Sequence, residues 1–179
     1  MLKRAFAYAG LQFAKLQFRA DIDAVQPMTD FFSKAGTILL VLPVGYEESV
    51  IAGKALGKLH DRMKNMHVVI VHTGTRATPL SVLPRSEVVR IDQNDINKFS
   101  LPRQSLLHRI LPRHYDVAID LNLDFVLHTA YICKVTRAAV RVGFEHDGDD
   151  AFFNVQMNVD RQRAPQARFE HAATFLSMF

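Results

Sequence analysis

The sequence predicts an α/β fold: a single Rossmann-like three-layer domain with a mostly parallel sheet, preceded by an N-terminal amphipathic helix. Three observations lead there. Strand-like apolar segments recur at 37–43, 67–73, 87–92, 115–121 and 138–144, and the first is continuous, as a strand covered on both faces is. Stretches of helical periodicity separate most of them, which calls for right-handed crossovers and helices on both faces of the sheet. The chain has 179 residues, enough for one domain with a substantial core.

Each element follows from its own pattern. In residues 2–19, Leu2, Phe6, Ala9, Phe13 and Leu16 recur at spacings of three and four, which gathers them on one face of a helix. Lys3, Arg4, Lys15 and Arg19 lie largely off that stripe. Such a helix packs on its own domain or lies on an anionic surface. With the connector after it, this helix makes a segment 1–26, and the Rossmann-like domain takes 27–179. The first strand is 37–43, and Ile51, Ala55, Leu56 and Leu59 mark a helix over 49–62. Strands follow at 67–73 and 87–92. Residues 95–111 read as mostly helical, with Pro102 in a first turn and Pro112 at the end. The fourth strand, 115–121, leads into a helix over 124–135. The fifth, 138–144, precedes an alternating segment 152–159 that reads as a half-exposed sixth strand. Residues 167–179 form a closing amphipathic helix.

Composition narrows the function classes. Hydrophobic residues make up 49% and charged residues 22% of the chain, as in soluble globular proteins. The net charge is +4, which admits anionic partners without selecting one. Basic residues do not alternate with aromatics in a stripe, so nucleic acid is not an expected partner. The lone Cys133 excludes an internal disulfide and fits a reducing, cytoplasmic compartment as a buried thiol. No apolar run reaches the roughly 18 residues of a membrane span, and the N-terminus lacks the apolar core of a secretion signal.

Ligands of open parallel sheets gather beyond the carboxyl ends of the strands. The segments that reach that edge are 43–49, 73–78, 92–95, 121–124 and 144–151. No glycine-rich phosphate cradle follows the first strand, and no P-loop occurs anywhere. A nicotinamide dinucleotide or ATP is therefore not expected at the first turn, and no cofactor is called for. The loop there carries Tyr46, Glu47 and Glu48 instead. A carboxylate in that place suits a hydroxylated ligand, whose proton it accepts as a general base. Acids in a first helical turn also stabilise the helix dipole by roughly 0.3–1 kcal/mol with no further purpose. The acidic cluster 145–150 matches no calcium loop and reads as a solvated turn. His67 and His72 point to opposite faces of their strand and do not share a metal, so no metal site is expected.

The stretch YDVAIDLNLDFVLHTAYICKVTRAAVRVGF, 115–144, resembles the lipopolysaccharide heptosyltransferase family of glycosyltransferases. In that family a Tyr-Asp opens an apolar strand that ends in Asp-Leu and a polar amide. A helix follows, then a strand ending Arg-apolar-Gly-Phe. Tyr115, Asp116, Asp120, Leu121, Asn122, Arg141, Gly143 and Phe144 stand at those places, with Asn122 where the family usually has Gln. The resemblance implies two Rossmann-like halves, an N-terminal one for the acceptor and a C-terminal one for the nucleotide-sugar donor. This chain matches the first and stops where the second would begin. Its partners are then a sugar or glycolipid acceptor, a separate donor-binding subunit and, through residues 2–19, an anionic membrane surface. The family's first loop holds a Gly-Asp whose Asp is taken as the catalytic base. Here the loop reads Gly45-Tyr46-Glu47-Glu48, so either Glu47 or Glu48 is the implied base. Tyr46, Asn122, Asp124 and Arg141 are the implied acceptor-binding residues. The implied place is the cytoplasm, at the inner face of the plasma membrane. A non-catalytic Rossmann-like binding or scaffolding protein is the alternative.

Overall fold

A computed structural model describes residues 2–21, 29–74, 85–146 and 151–179. Six strands form one sheet: β1 Thr37–Val41, β2 His67–Thr73, β3 Ser86–Ile91, β4 Val117–Asp120, β5 Val140–Phe144 and β6 Val155–Met157. Their order is β3-β2-β1-β4-β5-β6, and every pairing is parallel. The helices are α1 Leu2–Phe18, α2 Tyr46–Leu56, α3 His60–Met63, α4 Gln104–Ile110, α5 Leu127–Val135 and α6 Pro165–Ser177. The order reverses between β1 and β4, which lie side by side with Leu39 opposite Ala118 and Val41 opposite Asp120. That switch point is where α/β sheets open a crevice at their carboxyl edge.

Alternation along each strand divides the core. Ile38, Leu40, Ile70, Ile119 and Val142 face one layer, built by Leu56, Leu59, Met63, Phe169, Ala172 and Leu176. Leu39, Val41, Val69, Val71 and Ala118 face the other, built by Leu106, Leu107, Ile110, Ala130 and Cys133. The mostly apolar strands seen in the sequence are thus buried on both faces, as parallel strands must be. Cys133 is buried, and burial pushes its thiol well up.

Helix α1 belongs to the second layer. It buries Gly10, Ala14 and Phe18, a face roughly a third of a turn away from the stripe of Leu2, Ala9, Phe13 and Leu16. The smallest residues choose the docking face. A Cβ at position 10 would stand 2.0 Å from the Phe99 carbonyl oxygen, so only glycine permits this backbone approach. Phe18 packs against Tyr131 and Phe152 with ring centroids 5.2 and 6.1 Å away. The Tyr131 hydroxyl donates to Gln17 at 3.0 Å.

Several boundaries differ from the expected ones. α2 begins at Tyr46, three residues early, because Gly45 serves as its N-cap. α5 begins at Leu127 rather than Asp124, and the Thr129 hydroxyl turns back to the Val126 carbonyl at its start (2.9 Å). Residues 95–103 are not helical. A 3₁₀ turn, Gln93–Asp95, is closed by a capping box between Asp92 and Asp95. The Asn97 side chain then accepts from the Phe99 and Leu101 N–H groups at 2.8 and 3.1 Å. Pro102 lies in a bridge with Ile96, ahead of α4. The sixth strand exists but is short, and it lies parallel at the sheet edge.

Candidate functional site

The carboxyl ends of β1 and β4 meet through Asn122. Its side-chain oxygen accepts the Val44 N–H at 2.9 Å, and its side-chain nitrogen donates to Asp120 at 2.7 Å. The Asn122 backbone N–H donates to the same Asp120 oxygen at 3.0 Å. Asp120 and Asn122 are both buried. Burial pushes the Asp120 carboxyl above the usual range, and the two Asn122 bonds oppose that shift.

Beside this pair lies a water-sized cavity of about 10 Å³, lined by Asp120, Asn122, Asp124, Phe144, His146 and Phe153 among others. His146 links the neighbouring strand ends. One ring nitrogen lies 2.9 Å from the Phe144 carbonyl oxygen and the other 2.9 Å from that of Leu123. Arg168 of α6 also donates to the Leu123 carbonyl, at 3.2 Å, while its buried Nε has no hydrogen-bond partner among the described residues. Neither His146 nor Arg168 figured among the sequence candidates. Residue 146 sat inside an acidic turn, and Arg168 in an amphipathic helix with no motif to mark it.

Tyr46, Glu47 and Glu48 occupy the first turn of α2, directly after the Val44 link. Tyr46 is 51% exposed, Glu47 is exposed and Glu48 is partly covered. The Glu48 carboxylate folds back toward Gly45. The three side chains therefore start from the edge that Asn122 closes, within reach of solvent. Asp124 is exposed and lines the small cavity. Arg141 stands apart. It is the second residue of β5, opposite Ala118, toward the amino end of the sheet. It is buried, and its guanidinium donates to the Phe152 and Ala138 carbonyls at 2.9 and 2.8 Å. There it anchors the loop before β6.

Other residues of the 115–144 stretch carry fold rather than chemistry. Asp116 accepts the Gly36 and Thr37 N–H groups at 2.8 and 2.9 Å and fixes the start of β1. The Tyr115 hydroxyl donates to the Ile110 carbonyl at 2.8 Å, and burial pushes its ionisation up to about 12. Gly143 lies under the Phe153 ring, 2.8 Å from where a Cβ would be. Among the described residues no group of three or more His, Cys, Asp or Glu is placed to hold a metal ion. Among the described residues no helix is long and apolar enough to cross a membrane. The acidic turn, the connector and the loop after β2 fall mostly outside the described residues.

A single parallel sheet with its open edge at the β1–β4 switch defines the class: a Rossmann-like α/β domain. Solved structures with a similar fold include glycosyltransferases. E. coli heptosyltransferase WaaC with ADP superposes with a TM-score of 0.61 at 16% identity, over 78% of this chain and 46% of that one. The same enzyme with ADP-2-deoxy-2-fluoro heptose gives 0.61 at 15% identity, over 78% of this chain and 47% of that one. A glycosyl transferase family 9 protein from Veillonella parvula DSM 2008 gives 0.60 at 15% identity, over 80% of this chain and 42% of that one. The chain thus spans under half the length of the structures it matches. No family model and no curated protein matches the sequence.

Proposed function

We propose that this chain is the acceptor-binding half of a heptosyltransferase-like glycosyltransferase for lipopolysaccharide or another cell-surface glycan, working in the cytoplasm with a donor-binding partner chain. The observation that carries the reading is the partial match: most of this chain corresponds to less than half of enzymes solved with ADP and an ADP-sugar analogue. The motif stretch 115–144 supports assignment to the acceptor side. In this reading Glu47 or Glu48 accepts the proton of an acceptor hydroxyl, and Tyr46 and Asp124 contact the sugar. Asn122 holds the loop that carries the glutamates. Peripheral membrane placement rests on α1 and is taken up below.

The test has two arms. Incubated alone with ADP-sugars, the chain releases no ADP above buffer; release well above it overturns the split. Titrated with lipopolysaccharide core oligosaccharide, the chain binds, and the double variant Glu47→Gln/Glu48→Gln weakens binding while it stays folded. Unchanged binding by the variant overturns the acceptor-site assignment. One observation favours a non-catalytic binding module instead: both glutamates sit in the first turn of α2, where they stabilise its dipole without any chemistry.

A further inference from the structure

The inner face of α1 is accounted for by Gly10, Ala14 and Phe18, yet its outer face is apolar too. Leu2 is 73%, Phe13 58% and Leu16 68% exposed. Beside Phe13, between α1 and the 97–101 loop, runs an apolar groove of about 340 Å³ lined by Ala9, Gly10, Phe13, Asn97, Phe99 and Leu101. Of the stripe, Phe6 packs edge-on against Phe99, while among the described residues Leu2, Phe13 and Leu16 stay exposed. Its electrostatic setting is one-sided. Residues 2–18 contain no acid, and Lys3, Arg4 and Lys15 lie within the helix, with Arg19 just beyond. Across the groove, Lys98 stands over the Phe99 and Phe6 rings, 5.1 and 5.3 Å from their centroids. We infer that the outer face of α1 and its groove dock on an anionic lipid bilayer, with the helix in the plane of the headgroups. Apolar residues enter the acyl boundary and the flanking cations meet lipid phosphates, the arrangement of interfacial amphipathic helices. The charge pattern selects this occupant over a neutral apolar protein surface, which would leave these cations without counter-charges. The inference goes beyond the glycosyltransferase reading and stands without it.

The test is co-sedimentation of the full chain with vesicles of phosphatidylcholine alone or mixed with phosphatidylglycerol. Binding to the anionic vesicles is expected to exceed binding to the neutral ones by about tenfold or more at low salt. It falls by a similar factor when the Debye length is cut from about 30 Å to about 3 Å. Phe13→Ser/Leu16→Glu abolishes it, with thermal unfolding unchanged because both side chains are exposed, and Lys15→Glu weakens it. Deleting α1 is no substitute, since it removes Ala14 and Phe18 from the core. Equal sedimentation with both vesicle types, none with either, or full binding by the double variant overturns the inference. So does self-association of the wild-type chain in ultracentrifugation, lost in the double variant, without vesicle binding.

Discussion

Asn122 and Val44 stand 78 residues apart in sequence, and a single 2.9 Å hydrogen bond joins the end of β4 to the loop that launches α2. The same amide donates to the buried Asp120. One side chain therefore sets both the position of the Glu47–Glu48 turn and the environment of the carboxyl behind it. Asn122→Ala takes one bond from the part-buried Val44 N–H and one from the buried Asp120 carboxyl, which keeps the backbone N–H of residue 122, and a loss of about 1–3 kcal/mol is expected. Urea denaturation measures it. Asn122→Asp is expected to cost more at pH 7 than at pH 4, because it sets a second carboxylate against Asp120.

Asp120 gives stability a pH dependence of defined sign. An unfolded aspartate titrates near 3.9, and burial holds the folded one higher. Between the two values the folded chain binds more protons, so this residue's contribution to stability falls as pH rises through that window. Asp120→Asn is expected to remove that slope. Denaturation curves of both proteins, taken across the acid range, check it.

His128 works in the opposite direction. It lies on the first turn of α5, facing the cleft beside α1, and burial pushes its ionisation down to about 4. From about 6.5 down to about 4 the unfolded chain takes up the proton first, so stability is lost as pH falls, by at most about 3 kcal/mol. His128→Leu is expected to lose less stability between pH 7 and pH 5 than the wild type. Thermal unfolding at the two pH values shows the difference.

Gly10→Ala should raise the intrinsic helix propensity of α1 by about 1 kcal/mol and still harm the protein. The added methyl meets the Phe99 backbone carbonyl at 2.0 Å, and neither backbone can yield without lifting α1 off its seat. Hydrogen exchange is expected to quicken in α1 and at Phe99 and Leu101, with β1 and β4 unchanged. Unaltered protection in α1 would contradict the close approach.

The strands were legible because burial on both faces writes itself as mostly apolar segments, as in His67–Thr73 and Val117–Asp120, while their order came only with the structure. The seating of α1 was not. Its larger side chains advertise Leu2, Phe13 and Leu16, while the contact is made by Gly10 and Ala14, which carry almost no hydrophobic signal, and by Phe18, which lies off that stripe. The 95–103 segment misled for a related reason. Ile96, Phe99 and Leu106 would share one helix face, but the Asn97 side chain captures two backbone N–H groups that a helix would need. At the candidate site, the loop after the first strand pointed to the two glutamates and the resemblance to Asn122, and the structure places all three at the β1–β4 edge. Arg141, implied alongside them, lies toward the amino end of the sheet, where its reach to the Phe152 carbonyl depends on a loop that sequence does not place. His146 and Arg168 were missed because tertiary contacts alone bring them to the Leu123 carbonyl.

The seat of α1 also sets an order of events during synthesis. The helix emerges first, yet Tyr131, which receives Gln17 and Phe18, follows 114 residues behind Gln17, and Phe152 comes later still. Phe99 offers Gly10 and Phe6 a seat earlier, but until Tyr131 and Phe152 have left the ribosome the Phe18 end of α1 has no ring to pack against. A nascent helix with apolar residues on two sides is a target for holdase chaperones or for any nearby lipid surface. The last step in folding this domain is then the return of its first element, and that step waits on the final third of the chain.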